Sequence, residues 1–542
     1  MSESDIKEKD VHVTPQPYAS SSHNDEEVGI VHKGAALKTD LRGRHMQMIA
    51  VGGAIGAGLF IGSGGALQSG GPASLIIGYI IVGVMLLFTM QALGELAVMY
   101  PVNGAFYTYV VRFVDPSWGF AMGWNYAISW LTVLPFELIA ASGTIKFWRD
   151  DLPSAIWVAV FLVVLVAIQF FGVRGYGEVE FILSIIKIAA CVGFIILGIV
   201  INTGGVGDKG YLGAKYWHDP GAFQNGFNGF AGVFVVAAFS FAGTELVGLA
   251  AAESANPRKS IPLAAKQVFF RIFFFYVVNL FILGLILPAT DPRLANASGS
   301  NSRFSPFVLA IQDAGIQALP SIFNVVITLS VISVANSCAF GSTRTMQALA
   351  ERGMAPKFLS YVDKHGRPLW CVVVQLVFGL LGFVADAPKG GTAFSWLLAL
   401  SGLANFFVWG SCCLAHIRFR LAWKTQGRDL REIPYRAPLG IWGSVIGFVL
   451  VWLCLIATFY NALYPSPDAQ PSAEVFFRNY LAAFVALGLF VFWKVYSGQY
   501  RLYVPLREID LVSGSRPLEA SEFEDPAAKK GNWGMRIVRS LF

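Results

Sequence analysis

The stretch GGAIGAGLFIGSGG, residues 52–65, holds seven glycines. One chemistry that uses so much glycine is a phosphate cradle, and a dinucleotide fingerprint requires G-x-G-x-x-G where a strand meets a helix. Here Gly56-Ala57-Gly58 is followed by Leu59, Phe60 and Ile61 before Gly62, one residue too many, and no Gly-Lys-Ser or Gly-Lys-Thr occurs. The other chemistry is a membrane helix that comes apart. Glycine weakens a helix by roughly 1 kcal/mol relative to alanine, so Gly52, Gly53, Gly56 and Gly58 together favour a break. A break exposes free N–H groups and the positive end of a helix dipole, which suit a carboxylate. Small residues also let membrane helices pack closely, which needs no ligand.

A second stretch, AAFSFAGTELVGLAAAESANPRKSIPLAAKQ at 237–267, sets Ser240, Gly243, Thr244 and Glu245 inside an apolar run that ends in the turn-forming Asn256-Pro257. A carboxylate inside a bilayer is costly and is a functional candidate by default; the plain alternative is a structural Glu bonded to a neighbouring helix. Glu137, two residues after Pro135, is another intramembrane carboxylate, suited to contacting cationic substrates or to locking helices together. Lys187 lies within FILSIIKIAACVGFIILGIV. An amine withdrawn from water gives up its proton more readily, which makes Lys187 a candidate proton site. Snorkelling towards the Glu178 and Glu180 end is the alternative.

These residues need a membrane to hold them. The chain of 542 residues is 55% hydrophobic and only 14% charged, with a mean hydropathy of +0.57, whereas soluble domains carry charge on about a quarter of their residues. Runs of about 20 apolar residues, enough to cross the hydrocarbon, fall near 46–65, 73–98, 118–147, 155–172, 181–201, 229–252, 269–288, 318–339, 369–386, 393–414, 441–463 and 477–498. The expected architecture is an all-α integral membrane protein of twelve transmembrane helices. The two interrupted spans are the first and the sixth, a separation that fits a LeuT-type five-plus-five inverted repeat with two extra helices.

Lys and Arg gather in cytoplasmic loops. With both termini inside, the inner loops collect Arg112, Arg174, Arg258, Arg271, Arg344, Arg352, Arg367, Arg420, Arg431 and others, and the outer loops far fewer. The net charge of +6 belongs to these loops, so no nucleic-acid partner is implied. The sequon Asn296-Ala-Ser298 falls in an outer loop. The six cysteines, all in or beside spans, show no metal-ligand spacing, so neither zinc nor disulfides are expected. Residues 1–44 form a polar, disordered cytosolic tail, 45–500 the transporter domain and 501–542 a cytosolic C-terminal tail that lies against the membrane or an inner loop. Lys7 and Lys9 are accessible for ubiquitin attachment and Ser20 to Ser22 for phosphorylation.

The motifs SFAGTELVGLAAAESANPRKSIPLAAKQVFFRI, GSTRTMQALAERG, SYVDKHGRPL and WLLALSGLANFFVWG followed by HIRFR carry a family resemblance. From LKTDLRGRHMQMIAVGGAIGAGLFIGSG at residue 37 to about residue 510, the chain resembles the fungal amino-acid permeases of the amino acid-polyamine-organocation superfamily, and among them the general amino-acid permeases. That resemblance implies that the substrate α-carboxylate meets backbone N–H groups of Gly56, Ala57 and Gly58. It implies that the α-ammonium meets carbonyls near Ala54 or Ile55 and at Phe239, Ser240 and Ala242, beside Thr244 and Glu245. Helix ends offer a zwitterion both partial charges without an ionised side chain. By the same resemblance Phe239 is an occluding aromatic gate, Ser129 and Ser401 set side-chain selectivity, and Lys187 stands where sodium-coupled relatives hold a cation. Glu245 is the rival proton carrier.

No G-x-S-x-G, H-E-x-x-H or Walker motif is present, so no enzyme is indicated; no cofactor is expected, and Lys187 together with the family resemblance implies the proton as coupling ion. The function expected is proton-coupled import of L-amino acids across the plasma membrane with broad specificity. A basic amino-acid permease and an amino-acid-sensing receptor are the alternatives.

Overall fold

The structure, a computed structural model, describes residues 45, 48–49, 53, 55–250, 257–295, 305–387, 390–465 and 470–516. Lys7, Lys9, Ser20 to Ser22, Ala54, the sequon at Asn296 and the tail beyond residue 516 lie outside the described residues.

Backbone groups in hydrocarbon must bond within their own segment, and among the described residues the chain forms helices and no strand. In order these are α1 (Gly58–Met99), α2 (Ala105–Phe113), α3 (Pro116–Ile145), α4 (Ser154–Gln169), α5 (Gly172–Asn202), α6 (Gly226–Phe241), α7 (Leu246–Ala250), α8 (Arg258–Ile286), α9 (Pro306–Asp313), α10 (Leu319–Glu351), α11 (Leu369–Asp386), α12 (Gly391–Thr425), α13 (Ile441–Leu463) and α14 (Ala473–Ser497). Among the described residues ten helices, with α6 and α7 counted as one, are long and apolar enough to cross a membrane. The apolar α4 has 16 residues.

α1 has 42 residues, about 63 Å at 1.5 Å per residue and twice what hydrocarbon requires. It divides at Gly71, whose φ of +79° is followed by Pro72. A Cβ on Gly71 would lie 2.7 Å from the Ala222 carbonyl, and only glycine takes that φ without strain. The Ala73 and Gln224 amides bond across this point, to Ala222 and Gly70, at 2.9 Å each. The two halves correspond to the first two expected spans.

The helices sort by burial. The most apolar window of α3 is 89% buried and that of α14 11%, so α3 is central and α14 peripheral. α3 packs chiefly on α10 and α12, and α1 on α6. α14 exposes Phe484, Leu487, Val491 and Val495, a face suited to hydrocarbon rather than water. At the start of α3, Asp115 accepts the Trp118 amide at 2.8 Å and Pro116 takes the first helical position, a capped start.

Two expectations are corrected. Arg271 and Arg344, assigned to loops, lie inside α8 and α10 with exposures of 0% and 5%. α5 begins at Gly172 rather than near 181, which brings Glu180 into the helix. The C-terminal segment is docked as far as Arg516: Tyr100 donates to the Leu511 carbonyl at 3.0 Å, the Arg516 amide to Met99 at 2.9 Å and Gln426 to the Ile509 carbonyl at 2.8 Å. Ile509 and Leu511 are buried there, so apolar burial holds the segment in place.

Candidate functional site

The first break is built by glycine. Ile55 and Gly56 are not helical, and Gly58 opens a π-helical turn to Gly62 from which the rest of α1 continues. The opening turn of a helix has N–H groups without intrahelical acceptors. A Cβ on Gly58 would fall 2.6 Å from Ser240 Cα and 3.0 Å from the Phe239 ring, and one on Gly56 would fall 2.4 Å from the Val334 side chain. Glycine at 58 is what lets the first break touch the end of α6. Glu137 from α3 sits at the same opening, 3.7 Å from where a Gly56 Cβ would be, with the Ala57 backbone as a hydrogen-bonding neighbour. Glu137 is 1% exposed, and its Oε2 has no hydrogen-bond partner.

The second break follows Phe241. Ala242 is extended and Gly243 has φ +95°; the helix resumes at Leu246. Glu245 closes the gap: its Oε1 accepts the Gly243 amide and the Tyr126 hydroxyl, each at 3.1 Å, and its Oε2 accepts Trp409 Nε1 at 3.4 Å. Thr244 donates to the Phe241 carbonyl at 2.7 Å and accepts from Arg271 Nη2 at 2.5 Å. The Phe239 carbonyl accepts the Ala242 amide at 3.1 Å, and the Ser240 carbonyl accepts the Tyr276 hydroxyl at 2.8 Å. Both carbonyls therefore already hold one donor, leaving each a single lone pair for a further cation.

Phe239 joins an aromatic stack: its ring meets Phe136 edge-on at 4.6 Å, and Phe136 stacks on Phe394 at 4.1 Å. Ser129 on α3 and Ser401 on α12 come together, Ser129 donating to the Ser401 carbonyl at 3.4 Å while Ser401 donates to Leu397 of its own helix at 2.7 Å. Both hydroxyls are thus occupied by backbone.

Lys187 is buried and does not snorkel. Its ammonium donates to Ser333 Oγ at 2.7 Å and to Glu180 Oε1 at 3.4 Å, while Ser333 donates to Glu180 Oε2 at 2.6 Å. Ser184 ties the cluster to the first span, donating to Glu180 Oε1 at 3.2 Å and to the Met48 carbonyl at 3.3 Å. Lys187 and Glu180 are 1% and 0% exposed. A buried pair of this kind survives only with such extra hydrogen bonds, because desolvation of each ion otherwise outweighs their attraction.

A family model described as amino acid permease matches residues 45–505. The chain belongs to the amino acid permease family. Over 532 residues this permease is 48% identical to the general amino-acid permease GAP1 of Saccharomyces cerevisiae, an alignment covering 97% of this chain and 88% of that one. It is 50% identical over 506 residues to the general amino-acid permease GAP2 of Candida albicans, covering 93% and 86%. It is also 50% identical over 519 residues to the cationic amino acid transporter 1 of Schizosaccharomyces pombe, covering 94% and 87%. Among solved structures it is similar to the manganese transporter of Eremococcus coleocola, with a TM-score of 0.51, 11% identity and coverage of 84% and 94%. That likeness concerns the fold. The permease is a multi-pass membrane transporter of the amino-acid class, not an enzyme.

In the permease, sequence reasoning missed Glu180, Ser333 and Arg271. Glu180 was within reach, since seven residues before Lys187 is two helical turns and therefore the same face. Ser333 and Arg271 arrive from other helices, and no spacing announces them. A separate buried cluster was also missed: Glu95 meets His416 Nε2 at 3.1 Å and Arg420 Nε at 2.5 Å and accepts the Ala437 amide at 2.6 Å. A crevice of about 90 Å³ lined by Leu87, Phe88, Gln91, Leu439 and Gly443 adjoins that cluster, away from the breaks.

Proposed function

We propose that this permease imports L-amino acids across the plasma membrane by proton symport, accepting a broad range of side chains. The observation that carries this reading is the direct contact of the two helix breaks, Gly58 against Ser240, with the buried Lys187 cluster beside the first. A zwitterionic head fits between opposed helix ends, its carboxylate on the N–H groups of Gly56, Ala57 and Gly58, its ammonium on the remaining carbonyl lone pairs at Ile55, Phe239, Ser240 and Ala242. Thr244 and Glu245 hold the second break in shape, and Phe239 gates it. Ser129 and Ser401 leave the side-chain space uncharged, which favours breadth. Lys187 is the proton site, in preference to Glu245, whose oxygens already face neutral donors.

The full architecture in this reading has twelve spans. Division of α1 at Gly71, and α4 as a short span, account for the difference from ten, with a five-plus-five inverted repeat, two added helices and both termini in the cytosol. Alternating access then rocks the broken helices against the remainder.

A second reading, a carrier of basic amino acids, is favoured by Glu137, whose unpartnered oxygen at the first break suits a cationic side chain, and by the 50% identity to a cationic amino acid transporter.

Uptake of labelled arginine, glutamate, leucine and proline into cells lacking their own permeases, at pH 5 and pH 7, separates these. The expected result is uptake of all four, stronger in acid. Replacing Lys187 by Ala abolishes the acid stimulation, a loss of about tenfold or more, the effect ordinarily carried by a proton-transfer group. Uptake of arginine alone makes this a basic-substrate carrier. Binding without uptake makes it a receptor.

A further inference from the structure

Lys187 does not stand alone, and the residue that holds it has no role in the reading above. Glu180 is 0% exposed and uses both carboxylate oxygens: Oε1 takes Lys187 and Ser184, and Oε2 takes Ser333. Ser333 also accepts from the Lys187 ammonium. Glu180, Ser333 and Lys187 thus close a ring across α5 and α10 in which a single hydroxyl spans anion and cation. Glu137 of α3 also interacts with Lys187 and has an unpartnered oxygen at the opening of the first helix.

We infer that Glu180 is the positioning residue of the coupling site: with Ser333 it holds the Lys187 amine at the contact of α5 and α10, in the place where that amine takes up and gives up the coupling proton. The inference rests on Lys187 belonging to the coupling site. A proton taken up forms one N–H bond on the Lys187 amine and raises the charge of the pair by one, and its release breaks that bond and lowers the charge again. Glu137, whose Oε2 has no hydrogen-bond partner, interacts with that amine and stands beside Gly56. A change of charge on Lys187 therefore alters the field at Gly56 and Ala57, where the proposed function docks the substrate carboxylate. Proton and substrate are thereby linked through one side chain instead of through a chain of contacts.

Among the described residues, few other charged or titratable groups face the pair. On α5 they are Tyr176 and Cys191, on α3 Glu137 and on α8 Arg271. Arg271 donates to Thr244 and lies over the Tyr276 ring at 5.7 Å, and as a second cation it repels Lys187.

The test uses the full-length permease reconstituted in vesicles, with labelled leucine taken up at pH 5 and pH 7 outside, and leucine counterflow at equal pH on both sides. Glu180→Gln keeps the shape and an acceptor oxygen but removes the charge. Its expected pH 5 to pH 7 uptake ratio falls to about 1 while counterflow stays within about twofold of wild type, the separation expected when coupling rather than binding is lost. Glu180→Asp is expected to keep part of the acid stimulation. Wild-type acid stimulation and accumulation in Glu180→Gln overturn the inference. A Lys187→Ala protein with intact acid stimulation instead removes Lys187 from the coupling site, a separate failure. Should Glu180→Gln not reach the membrane, the paired Lys187→Met/Glu180→Gln protein is expected to reach it, because the buried ammonium that lost its carboxylate is gone, and to lack acid stimulation. Failure of that pair while Lys187→Met alone is delivered also overturns the inference.

Discussion

Glu245 and Glu180 are both buried carboxylates beside a helix break, and they are held in opposite ways. Around Glu245 the donors are neutral: a backbone amide, a phenol and an indole. Around Glu180 they are an ammonium and two hydroxyls, one of them shared with the ammonium. Neutral donors of fixed geometry make a clamp, since nothing in the cluster gains from a change of charge. A cation on a flexible stem makes a site whose geometry depends on its partner's charge. Under the proposed function, the second break is scaffolding for the carbonyls that receive the substrate, and the α5 cluster is the part that can change state.

The strongest test of this contrast is the contact the two breaks share. Gly58→Ala places a methyl 2.6 Å from Ser240 Cα, a backbone atom that cannot step aside. Overpacking of that kind costs about 1–3 kcal/mol or more, and because the proposed function has both breaks meet the substrate there, surface-normalised uptake should drop by about 100-fold. Wild-type uptake in Gly58→Ala would mean that the breaks need not touch.

Glu245→Gln comes next. The amide nitrogen has to face a donor, one hydrogen bond is lost, and about 1–3 kcal/mol of local order goes with it, lowering uptake by about tenfold. The ratio between pH 5 and pH 7 should stay that of wild type. A ratio collapsing to that of Glu180→Gln would erase the distinction between clamp and switch.

The smallest effect belongs to the segment after α8. Hydrogen bonds from Arg293 hold the Asp291 carboxyl below the usual carboxylate range, and Arg293 also reaches Asp313 at 2.8 Å. A lowered carboxyl contributes stability that is complete above its ordinary value and lost only as pH falls through the lowered one. The cluster is therefore intact at both pH 5 and pH 7. Asp291→Asn should leave the uptake ratio unchanged, with total uptake within about twofold of wild type, the modest weight of a partly exposed pair. A changed ratio would place part of the acid response outside the α5 cluster.

Much of this was legible in the residues. The glycines at 56 and 58 and the polar residues 240–245 announced two interrupted helices, because glycine clusters and carboxylates are costly in hydrocarbon and persist where they serve a cavity or contact. Lys187 stood out for the same reason. Its partner was two turns away on one helix and passed over, since Glu178 and Glu180 read as the water-facing end of a span that in fact begins at Gly172. Arg271 read as a loop cation because hydropathy charges each residue for burial without seeing what will receive it; Thr244 and the Tyr276 ring receive it.

By itself the sequence determined a membrane protein of many apolar helices, two of them broken, with a few ionisable residues, Glu137, Lys187 and Glu245, set inside its spans. Composition and local propensity act along the chain and suffice for that. Only the tertiary structure decided that Gly58 meets Ser240, that Ser129 and Ser401 spend their hydroxyls on backbone, and that Lys187 is tied to Glu180 through Ser333. Those outcomes depend on which helices become neighbours and in what register. The packing of dozens of apolar side chains settles that together, and the residues at the site do not encode it one by one.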